Sequence, residues 1–175
     1  MGFSLLGMLV SVAVLAPNLL LLRFPPRPSV PVVVLPRPLA WLERVSQVSC
    51  LVVPSIAVPG ALIWEWGVIV AAGLVAYYAL WARYLIHHRR GSALYAPFGW
   101  LPVPMAVFPF VISLGAGAWV SSPWTCVAAI LLAAGHVPCA VIIARAIGVN
   151  GTVIERRCLS RLMTTSDLLH SAPHR

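Results

Sequence analysis

Residues 67–90, GVIVAAGLVAYYALWARYLIHHRR, constrain this chain more than any other stretch. Their first sixteen residues carry no charge, and the last eight hold three arginines and two histidines. As a helix the uncharged part rises about 24 Å, most of the way through a hydrocarbon core of about 30 Å. The basic end belongs in water or among headgroups, and positive flanks stay on the cytoplasmic side. This one segment therefore has a direction, with Arg83–Arg90 inside, and it orients every span around it.

Composition removes the soluble alternative. Hydrophobic residues make up 61% of the chain and charged residues 9%, against about 45–50% and about 25% in soluble domains. With so little charged surface, lipid must solvate most of the chain, and only helices or closed barrels satisfy their backbone there. The net charge of +8 does not point to nucleic acid. All twelve basic residues are arginine, and they sit in short flanks beside apolar runs, where positive charge meets anionic headgroups. The four cysteines show no CxxC spacing, so neither a disulfide framework nor a metal site is expected.

Taken in order, the chain reads as all-α, a polytopic membrane bundle of five transmembrane helices, N-terminus outside and C-terminus cytoplasmic. The spans are expected at about 2–22, 45–64, 67–84, 102–120 and 125–147, within a single membrane domain of residues 1–147. The second span has an alternative start near Leu39, with Pro38 in its first turn. Pro17 and Asn18 interrupt the first span, and Pro54 and Pro59 bend the second. Between the first two spans, prolines at 25, 26, 28, 31, 36 and 38 dictate an extended inner connector. Glu65 falls in a tight outer hairpin. Residues 148–175 form a polar cytoplasmic tail, in which Val153–Met163 reads equally as a short amphipathic helix on the inner leaflet or a frayed end of the fifth helix. On this path all twelve arginines lie inside, and all seven tryptophans fall at one interface or the other.

His136 is the one group titrating near neutral pH expected at mid-membrane, where an ionisable side chain is a functional-site hypothesis by default. The bland alternative has it donating to a backbone carbonyl freed by Pro138. Gly73, Tyr77, Trp81, Tyr84 and His88 recur at spacings of four, four, three and four and share one helix face. That face reads either as interhelical packing or as a groove for an aromatic, isoprenoid or headgroup ligand. Asn18, Tyr77, Trp81, Tyr84 and His136 are thus the candidate ligand or polar-cavity residues. Arg83, His87 and Arg90 share another face, which reads either as an ordinary positive-inside flank or as a grip for a lipid phosphate. No catalytic residue, cofactor or metal site is assigned: HExxH, GxSxG and P-loop patterns are missing from the sequence. The four acids, Glu43, Glu65, Glu155 and Asp167, are all expected outside the hydrocarbon region.

The proline-rich stretch LYAPFGWLPVPMAVFP (94–109), with APNLLLLRFPPR (16–27), LPRPLAWLERV (35–45) and AGHVP (134–138), resembles uncharacterised small polytopic membrane proteins of bacteria. That resemblance implies a multi-pass setting in the bacterial plasma (inner) membrane and carries no activity. Three function classes follow. The first is a structural or interaction subunit docking a membrane-protein partner, with lipids and their anionic cytoplasmic headgroups as the other contacts. The second is a lipid or small-molecule binding or transport component with a cavity around His136 and Tyr77. The third, which the missing acids weigh against, is a lipid-modifying enzyme using His88 or His136 as base. Convergence of Asn18, Tyr77 and His136 on one polar cavity would favour the second; Arg83, His87 and His88 meeting Glu43 would favour the third. Tags on the two ends test the threading: in intact cells the amino end should be reachable from outside and the carboxyl end should not.

Overall fold

The computed structural model describes residues 2–27, 29–98 and 101–149. The described residues are all-helical, with no strand beyond an isolated bridge between Phe98 and Leu101. The elements are α1 (Leu5–Arg23), α2 (Arg37–Ile56), α3 (Trp64–Ile86), the short α4 (Gly91–Tyr95), α5 (Pro104–Trp119) and α6 (Pro123–Ala146). Among them α1, α3 and α6 are long and apolar enough to cross a membrane, and α5 is a shorter apolar helix. The expected tail segment Val153–Met163, like Trp100, lies outside the described residues.

Helix boundaries differ from expectation most at α2. It begins at Arg37 rather than near residue 45 and ends at Ile56 rather than at Trp64. Pro36 and Pro38 allow this early start, because proline is tolerated in a first turn whose N–H groups have no helical partner. Pro59 and Gly60 fall in the non-helical stretch that follows. Trp64, Glu65 and Trp66 belong to the first turn of α3 rather than to a hairpin, so residues 57–63 make the connection. The turn before α5 holds α4, a one-turn helix the sequence reading did not foresee.

The chain ends of neighbouring helices are sewn together in two groups. In one, Gly2 and Ser4 donate from their backbone to Ile56 and Ser55, and Gly60 and Ile63 donate to Val120 and Trp119. In the other, Arg27 donates to the Arg89 carbonyl, and the Tyr84 hydroxyl donates to Phe24 at 2.8 Å. Arg23, Arg83, Arg89 and Arg90 belong to this second group, and the Arg23 and Arg89 guanidiniums both lie over the Phe24 ring. The core between the two ends is built from Val70, Tyr77, Trp81 and Tyr84 of α3 against Val10 of α1 and Ile112 and Ala116 of α5.

Two prolines inside helices have been matched with hydroxyl groups from a neighbouring helix. Proline lacks the N–H that would bond the carbonyl four residues earlier. Pro54 thus frees the Cys50 carbonyl, which accepts from Ser11 Oγ of α1 at 3.1 Å. Pro17 frees the Ala13 carbonyl, which accepts from the Tyr78 hydroxyl of α3 at 2.9 Å. With those groups re-satisfied, α1 runs unbroken through Pro17 and Asn18. Glycine permits close approach at several contacts, Gly7 and Gly135 among them. A Cβ at Gly7 would land on the Pro54 carbonyl oxygen, and one at Gly135 would sit 2.9 Å from the Glu43 backbone.

Ser11→Ala and Tyr78→Phe should each lower resistance to unfolding in mixed micelles by about 0.5–1.5 kcal/mol, the worth of one internal hydrogen bond. Gly135→Leu should cost at least about 2 kcal/mol by forcing α2 off α6. Equal stability of Tyr78→Phe and wild type would show that the Ala13 carbonyl does not need this partner.

Candidate functional site

The packing of α2 against α6 creates a polar group that the sequence reading missed. Glu43 is carried inward, two turns into α2, because that helix starts at Arg37. Gly135 lets its backbone press against α6, and the next residue of α6 is His136. His136 Nδ1 then lies 2.9 Å from Glu43 Oε1, where the ring N–H donates to the carboxylate. Gln47, one turn along α2, places Nε2 3.4 Å from the same carboxylate oxygen. The sequence reading left Glu43 in the flank before the second span, whereas the helix start at Arg37 brings it against α6 and His136. The expected alternative for His136, a bond to a carbonyl freed by Pro138, is also replaced, since its partner is a side chain of α2. Both side chains remain partly open, at 28% exposure for His136 and 20% for Glu43.

What they open onto is a cleft of about 140 Å³ whose walls include Asn18, Glu43, Tyr77, Trp81, Tyr95 and His136. Tyr77, almost wholly buried, donates its hydroxyl to Asn18 Oδ1 at 3.2 Å. Three of the residues singled out in the sequence, from three different helices, thus meet at one place. Trp81 joins them from the next turn of α3, in edge-to-face contact with Tyr77 at 6.4 Å. It is 4% exposed, and its indole N–H makes no hydrogen bond of ordinary geometry; only a loose approach to the Tyr77 hydroxyl offsets its burial. Tyr95, from α4, lines the cleft as well. Burial pushes its phenol above the ordinary value, and the nearby Glu43 carboxylate adds in the same direction.

This cleft shares Asn18, Leu21 and His136 with a wider groove of about 510 Å³ between α1 and α2. The groove walls are mostly apolar, and Leu15, Val48 and Leu51 at its edges are exposed. A recess of about 630 Å³ between α2 and α6 near Trp124 is larger, but no ionisable side chain lines it.

Other candidate residues lie elsewhere. Tyr84 is buried on the same face as Tyr77 and Trp81, but its hydroxyl serves the Phe24 carbonyl outside the cleft. His88 leaves that face altogether. α3 ends at Ile86, and His88 and Arg89 take left-handed conformations at φ 56° and 58°, turning the chain toward α4. Arg83, His87 and Arg90 do line one open recess, together with Ser92. Glu43 lines the cleft on the other side of α4 rather than this recess. Among the described residues no group of three or more histidine, cysteine or acidic side chains could hold a metal ion.

Glu43, Gln47, Ser11 and Tyr78 are the residues that spacing arguments passed over. Glu43 and Gln47 stand four apart, on one face of any helix containing both, and α2, beginning at Arg37, contains both. For Ser11 and Tyr78 the signal is subtler: a hydroxyl facing a proline-freed carbonyl on another helix leaves no periodicity in its own segment.

Comparison with protein-family models, curated proteins and solved structures found no match to this chain.

A double-mutant cycle tests the contact between Glu43 and His136. Glu43→Gln and His136→Asn should couple by about 1 kcal/mol or more in unfolding measurements. His136→Leu alone should be worse than the pair Glu43→Gln/His136→Leu, because it strands a half-covered carboxylate. Additive losses would mean that the contact contributes nothing.

Proposed function

We propose that this chain is a five-span protein of the bacterial plasma membrane, N-terminus outside and C-terminus cytoplasmic, whose central cleft binds a small molecule or lipid as part of a binding or transport component. The single observation that carries the binding reading is the meeting of Asn18, Tyr77, Trp81, Glu43 and His136 around one partly open cleft. Polar groups are costly in an apolar surrounding, and a subunit serving only as scaffold would bury these helix faces dry. Here four helices contribute a carboxylate, an imidazole, an amide, a phenol and an indole to a space that stays open.

The threading is supported by the three helices able to cross a membrane, by the two groups of sewn helix ends and by the confinement of arginine to one side of the path. On this reading α2 and α5 are the two remaining spans, one polar because it carries the cleft and one short because Pro104 starts it late. Arg83, His87 and Arg90 then face anionic headgroups of the inner leaflet. The bacterial setting follows the resemblance described above.

Native mass spectrometry of the full chain, released gently from its membrane, tests the binding reading. Wild type should retain a small molecule in fixed ratio. Asn18→Leu should retain at least about tenfold less, since it removes one of few orienting polar groups. It also removes the acceptor of the Tyr77 hydroxyl, at a cost of about 0.5–1.5 kcal/mol, so retention is compared at a temperature where both proteins are folded. Equal retention by both, or a protein as the sole captured species, overturns the reading in favour of an interaction subunit.

A further inference from the structure

We infer that the molecule held by the cleft is an uncharged amphipath, with a small carbonyl-bearing head seated between Trp81, Tyr77 and His136 and an apolar chain lying in the groove between α1 and α2. This rests on the binding reading above and narrows it to one chemical class.

Size comes first. The inner cleft of about 140 Å³ is too small for an ordinary ligand pocket, which runs about 300–1,000 Å³. Joined to the groove of about 510 Å³ through Asn18, Leu21 and His136, it falls within that range. The two parts differ in character. The inner part carries the carboxylate, imidazole, phenol and indole. The groove shares Asn18 and His136 and adds Gln47, Ser113 and a Ser11 already bonded to the Cys50 carbonyl, but no further carboxylate, imidazole, phenol or indole. Val14, Leu15, Val48, Leu51 and Leu132 make up much of the rest of its wall, and its exposed edges face the surrounding lipid on the proposed threading. A molecule filling both must be polar at one end and apolar along the rest, and it must arrive from the bilayer.

Donor chemistry fixes the head. Indole Nε1–H can only donate, and the Trp81 N–H is buried without a proper acceptor. A buried donor left unpaired costs roughly 1–3 kcal/mol, so a ligand offering an acceptor oxygen gains by supplying one. Asn18 uses its carbonyl oxygen for Tyr77, which leaves its amide N–H groups for the same purpose. Charge fixes the rest. Glu43 and His136 already face one another, and no arginine lines either space. A phosphate head would meet the Glu43 carboxylate with no guanidinium to offset it, and an ammonium head would have to displace His136 from that carboxylate.

Four probes with one ten-carbon chain separate these heads: decyl-substituted benzoquinone and monodecanoyl glycerol, both neutral carbonyl compounds, against decyl phosphate and decyltrimethylammonium. Binding is measured on the full chain in zwitterionic nanodiscs. At least one carbonyl probe should bind saturably and at least tenfold tighter than either charged one; whichever of the two does so separates a quinone source from an acyl-ester source. Trp81→Phe keeps an aromatic side chain while removing the donor together with the pyrrole half of the indole, and should weaken that binding about five- to tenfold. Trp119→Phe is the control: its N–H is also buried and unpartnered, but it packs on Gly67, about 21 Å along α3 from Trp81, and it should change nothing. A charged probe binding as tightly as the carbonyl probes overturns the head assignment, as does an equal effect of the two tryptophan variants. If no probe binds while wild type still retains a native molecule that Asn18→Leu loses, the class is wrong and the cleft reading stands. If nothing is retained either, both fall.

Discussion

The contact of α2 with α6 at Gly135 is the constraint from which the interior follows. Without a side chain at that position, the α2 backbone comes close enough that Glu43 and His136 must meet. Had residue 135 carried even a methyl group, α2 would stand away and a carboxylate would be left in an apolar setting without its partner. The pair in turn decides what the neighbouring space can be. It sets the carboxylate against an imidazole that already occupies it, so the one acid lining the cleft is engaged before any ligand enters. The cleft's remaining character comes from Tyr77, Trp81 and Asn18. A close helix approach, a paired carboxylate and a donor-rich cleft are three successive consequences of one missing Cβ.

The same logic of satisfied polar groups governs the prolines. A helix with an internal proline is ordinarily weakened because a carbonyl loses its partner. In α1 and α2 the loss is repaired from outside the helix, by Tyr78 and by Ser11. These repairs are also interhelical connections: α1 is bonded to α2 through one and to α3 through the other. Prolines that would weaken an isolated helix therefore fix which neighbours this one has. Tyr84, bonded to the Phe24 carbonyl, adds a third tie at the arginine-bearing end, where the two guanidiniums over Phe24 also gather.

Much of this was legible in the residues alone. The helical character, the approximate positions of α1, α3, α5 and α6, and the shared face of Tyr77, Trp81 and Tyr84 follow from apolar runs and helical spacing, which are local properties. What spacing could not supply was the start of α2. Arg37, Glu43, Arg44 and Gln47 make its first half look like a flank, and a hydropathy argument assigns flanks to water. Only packing against α6 tells Glu43 apart from Arg44 beside it. The convergence of Asn18, Tyr77 and His136 was a question the sequence could pose but not answer, because it depends on three helices being adjacent. Tyr84 illustrates the reverse: it shares the predicted face, yet its hydroxyl is claimed by a loop carbonyl before it can reach the cleft.

The bond between Tyr78 and Ala13 spans sixty-five residues, and that separation has a bearing on how the protein is made. As the nascent chain leaves the ribosome, α1 emerges first with its Ala13 carbonyl bare, and the hydroxyl that will cover it has not yet been translated. Ser11 is early in the same sense, waiting for the carbonyl it will serve in α2. Until Tyr78 arrives the Ala13 carbonyl is an unpaired polar group, and burying α1 alone in apolar surroundings costs more than burying it beside α2 and α3. The prolines thereby tie the burial of α1 to that of the two helices that follow it.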